Sequence, residues 1–222
     1  MIGPAVHNIC RRWIKPSRPF TDSEDYWVAR YASGGNSGAG SYGQLSIFKA
    51  AVLNDFVLQN KIPTVIEYGC GDGNQLRLAR YPSYLGFDVS HDAVSLCRKL
   101  FARDHAKQFK LMQDYQGETA CLTISLDVIY HLIEDQAFFD YIHRLFDSAE
   151  SYVIIYSSDT SVQKVGQAPH VRHRKFTEWV QQNKTEWKMR QHIPNRYPYA
   201  GDDLTGSFSD FYIYEKSGLC PL

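Results

Sequence analysis

The chain has 222 residues, and its 24 Lys/Arg balance 24 Asp/Glu. That length suits one α/β domain with a substantial core, and the neutral balance points to no nucleic acid and no anionic membrane as partner. Five cysteines (Cys10, Cys70, Cys97, Cys121, Cys220) form no C-x-x-C pair, so neither a disulfide framework nor a metal site is indicated. Basic residues and prolines interrupt the first twenty positions, so no signal peptide or membrane span is read there and a cytoplasmic protein is expected.

Residues 1–20 are irregular, with Arg11, Arg12, Lys15 and Arg18 around Trp13; they read as a solvated strap or as a binding arm. Thr21-Asp-Ser-Glu24 forms a capping box, which predicts a helix from about Asp22 to Ala32 carrying Tyr26, Trp27, Arg30 and Tyr31. Residues 33–43 contain five glycines in eleven positions. They are either a flexible linker or a lid over a pocket, and the 32 residues upstream are too few for a domain to be linked. Leu45, Phe48, Val52 and Phe56 recur at helical spacing and predict a helix over 43–60.

Val65 and Ile66 then read as a buried strand closed by Glu67, followed by Gly69-Cys70-Gly71-Asp72-Gly73 and a helix at about 74–80. Alternate glycines allow a sharp turn and close approach of backbone to a ligand. A dinucleotide-binding loop would read G-x-G-x-x-G, whereas here the spacing is G-x-G-x-G; a plain strand-to-helix turn is the bland alternative. A second strand, 84–90, ends in Asp88, which stands 15 residues after Gly73, and Ser90 caps the helix at 91–103.

Strand three falls at 109–112 and strand four at 121–126, separated by too few residues for a crossover helix. That leaves one face of the sheet open to other packing or to a partner, a homodimer among the options. Strand four runs into Asp127, Tyr130 and His131, an amphipathic helix occupies 135–148, and strand five covers 152–156. The charge then changes sign: residues 111–150 hold eight acids and one base, residues 164–196 eight Lys/Arg and two acids. A helix at 174–183 and strands at 186–193 and 207–216 complete the chain.

Glu67, Gly69, Gly71 and Gly73, followed by Asp88, Asp114 and the Asp127–His131 stretch, resemble the successive motifs of the class I S-adenosylmethionine-dependent methyltransferases, over roughly residues 43–216. The resemblance implies a doubly wound, mostly parallel seven-stranded α/β sheet with an antiparallel last strand, residues 43–222, behind an arm, helix and Gly-rich lid in 1–42. It implies S-adenosylmethionine as cofactor, lying across Glu67, Gly69, Cys70, Gly71 and Gly73. Asp88 and Val89 would hold its ribose, Asp114 and Tyr115 its adenine, and Leu126 and Asp127 the far wall, with Tyr31 and Gly38 closing from the lid. Asp127 and His131 become the catalytic candidates, although His131 reads equally as a structural histidine. The acceptor is expected to be a small molecule, a hydroxyl on a sugar or on an anionic metabolite. Tyr130, His170, Arg172 and Arg174 are the candidates to bind it, because a basic run at a helix start is poorly placed unless an anion joins it; the alternative is a solvated surface run. A nicotinamide oxidoreductase and a non-catalytic subunit of the same fold are the competing readings.

Overall fold

The apolar runs of the sequence become seven strands: β1 Val65–Tyr68, β2 Tyr84–Asp88, β3 Lys107–Leu111, β4 Ala120–Leu126, β5 Ala149–Ser157, β6 Trp187–Ile193 and β7 Asp210–Lys216. Five helices accompany them: α1 Ser23–Ala32, α2 Gly43–Gln59, α3 His91–Leu100, α4 Asp135–Asp147 and α5 Phe176–Asn183. The computed structural model describes residues 20–163 and 166–218; the basic strap, Cys10 and Cys220 lie outside the described residues.

The strands form one sheet in the order β3-β2-β1-β4-β5-β7-β6. β1 to β5 are mutually parallel, and β7 runs antiparallel between β5 and β6. β1, β2 and β4 are almost entirely buried, as strands covered on both faces require, whereas the edge strand β3 is only partly buried. Successive residues alternate between two cores: Val65 and Ile154 face α2 and α3 with Phe56, Val94 and Cys97, while Ile66 and Val153 face α4 and α5 with Ile142, Leu145, Phe176 and Val180.

The strand order reverses beside β1, between β1 and β4, and ligands of such sheets bind outside the carboxyl ends of the strands at that point. Two local details there differ from the sequence reading. The helix expected at 74–80 is a single 3₁₀ turn, Gln75–Leu78, because Ala79 is already extended and Tyr81 precedes Pro82, which disfavours helical backbone. The α1 cap is Asp22, whose carboxylate accepts the Asp25 amide at 2.8 Å, rather than Thr21.

No crossover helix stands between β3 and β4; a 3₁₀ turn, Met112–Asp114, replaces it. Tyr115 covers the sheet face that lacks a crossover helix, its ring 5.7 Å from Phe87 and 6.3 Å from Tyr68, with the Arg144 guanidinium 5.1 Å from its centroid. Among the described residues no helix is long and apolar enough to cross a membrane.

Candidate active site

The loop after β1 is shaped by its glycines. Gly69 and Gly71 take φ of 87° and 59°, backbone that side chains rarely adopt. A Cβ on Gly69 would meet Val128 Cγ2 at 2.5 Å, and one on Gly71 would overlap Ser37 Oγ and approach Tyr31 Oη to 2.9 Å. Both positions are therefore closed to any larger residue, and the second touches the Gly-rich segment itself.

That segment lies across the loop and is latched to it by Asp72. Asp72 accepts hydrogen bonds from Ser37 N at 3.0 Å, Tyr42 Oη at 2.7 Å and Asn74 N at 2.9 Å, and its own amide donates to Ser37 Oγ at 2.9 Å. Burial pushes the Asp72 carboxyl up, but these donors bring it below its ordinary value. At its other end, α1 docks on the β4–α4 connection: Ser23 donates through N and Oγ to Glu134 at 3.2 and 2.6 Å and accepts from Ile133 N at 2.8 Å. Residues 20–42 thus form one wall of a cavity of about 380 Å³ whose floor is the carboxyl ends of β1, β2 and β4.

Two buried carboxylates stand at those strand ends. Asp88 accepts from Gly71 N and Ser90 N, both at 2.9 Å. Burial raises its carboxyl to about 6, against the lowering effect of those amides. Glu67, 4% exposed, accepts from Tyr84 Oη at 2.6 Å, and burial lifts it to about 7.

Asp127 follows β4 in left-handed backbone, φ 60°, a costly conformation for a residue with a side chain. Its side chain is held on three sides. Oδ2 accepts from Lys49 Nζ at 2.8 Å, and Oδ1 accepts from Tyr130 Oη at 2.9 Å and Ser209 Oγ at 3.0 Å. Lys49 rises from α2, 1% exposed, with its ammonium 5.2 Å above the Tyr156 ring. Both oxygens of the Asp127 carboxylate are thus engaged by side chains from α2, the turn after β4 and the segment before β7.

His131 is different. Its Nδ1 lies 2.8 Å from the His170 carbonyl, which can only accept, so Nδ1 carries the proton and Nε2 keeps its lone pair. Burial lowers its pKa to about 4, and Trp27 (4.9 Å, edge-on) and His170 (5.4 Å, stacked) hold the ring.

Of the residues singled out from sequence, Tyr31, Glu67, Gly69, Cys70, Gly71, Asp88, Val89, Leu126, Asp127 and His131 line the cavity together. The others stand outside its lining. Gly38 lies in the Gly-rich segment before α2, and Gly73 backs onto Cys97 and Phe101. Asp114 is exposed and Tyr115 packs on the sheet. Tyr130 donates to Asp127, and His170 meets His131 through its backbone carbonyl. The arginines of the basic run are turned to the β4–α4 connection. Arg172 Nη1 donates to Ile133 O at 2.7 Å and pairs with Asp135 at 3.0 Å; Arg174 pairs with Asp135 at 2.7 Å and donates to Leu132 O and Ile133 O. α5 begins only at Phe176, so these cations precede the helix and are answered from within the chain.

Sequence reasoning missed Lys49, Gln75, Met112, Tyr141 and Arg144 in the lining. One signal was present: Lys49 interrupts the apolar stripe Leu45, Phe48, Leu53, Phe56 of α2, where a lysine must be paired to be tolerated.

A glycine-punctuated loop after β1, an acid closing β2 and a seven-stranded sheet with an antiparallel insertion of β7 together define the fold of the class I methyltransferases. Solved structures share this fold. The N-methyltransferase NodS from Bradyrhizobium japonicum superposes with a TM-score of 0.67 at 11% identity, over 89% of this chain and 100% of that one. Magnesium protoporphyrin IX methyltransferase ChlM from Synechocystis, solved with bound SAM, gives 0.62 at 15% identity, over 90% of this chain and 100% of that one. The methyltransferase domain of bacterial CtHen1 gives 0.55 at 16%, over 75% and 97%. At these identities the likeness is one of fold; no family model matches the chain and no curated protein matches it in sequence.

Proposed function

We propose that the chain is an S-adenosylmethionine-dependent methyltransferase acting on a hydroxyl of a small molecule. The observation that carries this reading is the convergence, in one cavity, of the Gly69–Gly71 cradle, the buried Asp88 carboxylate and the unprotonated nitrogen of His131. Asp88 retains acceptor capacity beyond the backbone amides it already serves, which suits a pair of ribose hydroxyls. Gln75 Oε1 is buried in the same lining and has no hydrogen-bond partner among the described residues, so a cationic donor such as an α-ammonium group would satisfy it.

Gly69, Gly71 and Asp88 would hold the cofactor, which would supply a methyl group on a sulfonium, already activated for displacement by the acceptor oxygen. The residues of this chain align and dry the site. The lid latched by Asp72 excludes water, and Lys49, Tyr130 and Ser209 fix Asp127 and hence the turn that carries His131. The hydroxyl proton passes to His131 Nε2. A weak base suffices there, because an oxygen acquiring a methyl group becomes strongly acidic as the bond forms.

Calorimetric titration with S-adenosylmethionine, S-adenosylhomocysteine and NAD tests the cofactor. Saturable binding of the first two and none of NAD is the expected outcome, and the reverse would overturn the assignment.

A further inference from the structure

Resting on the methyl-transfer reading above, we propose that the acceptor is an uncharged polyol, a sugar or cyclitol ring, received by the α1 wall of the cavity through Asp22, Glu24 and Trp27 and facing His131. Three observations converge on this class. First, the lining residues contributed by α1 and the β4–α4 connection include the carboxylates Asp22, Glu24 and Glu134 and no cation; Arg30 of α1 stays outside the lining, its guanidinium 5.6 Å from the Trp27 ring. The two cations elsewhere in the lining are engaged, Lys49 by Asp127 and Arg144 over the Tyr115 ring. An anionic acceptor would meet like charge in a partly dry site. Arg172 and Arg174, the groups that would have welcomed it, are outside the lining and held by Asp135 and backbone carbonyls.

Second, carboxylates are acceptor-only and take two hydroxyl donors at once, while an indole offers an apolar face to the C–H side of a ring. Trp27 lines this wall beside His131, and Asp22 keeps its place by capping α1 through one oxygen. The wall is fixed to the core by Ser23 and Glu134, so these groups are presented on a docked helix rather than on a loop.

Third, the same carboxylates would attract an alkylammonium, but the site does not fit its chemistry. An alkylammonium of the lysine type has a pKa of about 10 and must lose its proton before it can attack. His131, held near 4 by burial, cannot remove it. A hydroxyl needs no prior deprotonation.

The experiment is saturation-transfer NMR on the full chain saturated with S-adenosylhomocysteine. Three ligand mixtures are offered: neutral monosaccharides and inositols, the corresponding sugar phosphates, and primary alkylamines. The neutral polyols should bind in preference, and Trp27→Ala should weaken them ~10-fold or more while S-adenosylhomocysteine affinity holds. Asp22→Asn, which preserves the helix cap, combined with Glu24→Gln, should weaken them ~5-fold, and Glu24→Lys should shift preference toward the sugar phosphates. Preference for amines or phosphates, or no polyol signal that responds to Trp27→Ala, overturns the proposal. Failure of S-adenosylhomocysteine itself to bind would instead strike the methyl-transfer reading, so the two failures are distinct.

Discussion

Lys49 Nζ stands 2.8 Å from Asp127 Oδ2 at the junction of α2 and β4, joining residues 78 positions apart at the edge of the cavity. The pair holds a left-handed aspartate in place, and through it the turn that presents His131. Removing one partner leaves the other charge buried and unanswered. Lys49→Met should therefore destabilise the fold by about 3–5 kcal/mol in urea denaturation, and adding Asp127→Asn should recover part of that loss. A cost below ~1 kcal/mol for the single variant would mean that Tyr130 and Ser209 suffice to hold Asp127.

Asp88 gives the sharpest test of the cofactor site. Asp88→Ala removes a charge-assisted acceptor and should cost ~2–3 kcal/mol of S-adenosylmethionine binding, about 30- to 150-fold in affinity. Unchanged calorimetric affinity would remove Asp88 from the site.

The buried acids set a pH dependence with a definite sign. Glu67 is raised by burial from 4.5 to about 7, so the folded state resists ionisation that the unfolded chain accepts. Its contribution to stability is greatest below the unfolded value and is lost as pH rises toward about 7. Glu67→Gln keeps an acceptor for Tyr84, so relative to the parent it should gain stability between about pH 5 and pH 8. Thermal denaturation at the two pH values reads this directly; an equal difference at both would contradict it.

The Asp72 latch predicts a mobile lid once it is cut. Asp72→Ala should expose the segment around residues 33–42 to limited proteolysis while the core strands stay resistant. Because the carboxyl is held below its ordinary value, the latch is intact above the normal carboxylate range and fails as pH falls through the lowered one. Cleavage identical in parent and variant would mean that the segment is held by other contacts.

His131→Gln should lower the transfer rate ~100-fold with cofactor affinity unchanged, as expected for loss of a proton acceptor. Since burial places the parent imidazole near 4, the rate profile should show no histidine inflection near its ordinary value. A full rate in the variant at every pH would assign the catalysis to alignment alone.

The features that are local in sequence were legible in it. Glycines at 69, 71 and 73 announce backbone that only glycine adopts without cost, Asp88 and Ser90 mark a strand end and a helix cap, and the short 113–120 interval excludes a crossover helix. Apolar periodicity likewise located α2, α3, α4 and the strands of the sheet. What the tertiary structure decided was pairing. Charge partnership depends on which distant elements meet: Lys49 finds Asp127 across 78 residues, and Arg172 and Arg174 share Asp135 at the start of α4, so a run that reads as a free cationic patch is turned back onto the chain. Whether a histidine keeps a lone pair is settled by a single carbonyl, that of His170, 39 residues away. Backbone preference is a property of a few neighbouring residues, whereas the electrostatic state of a buried group is a property of everything that packs around it.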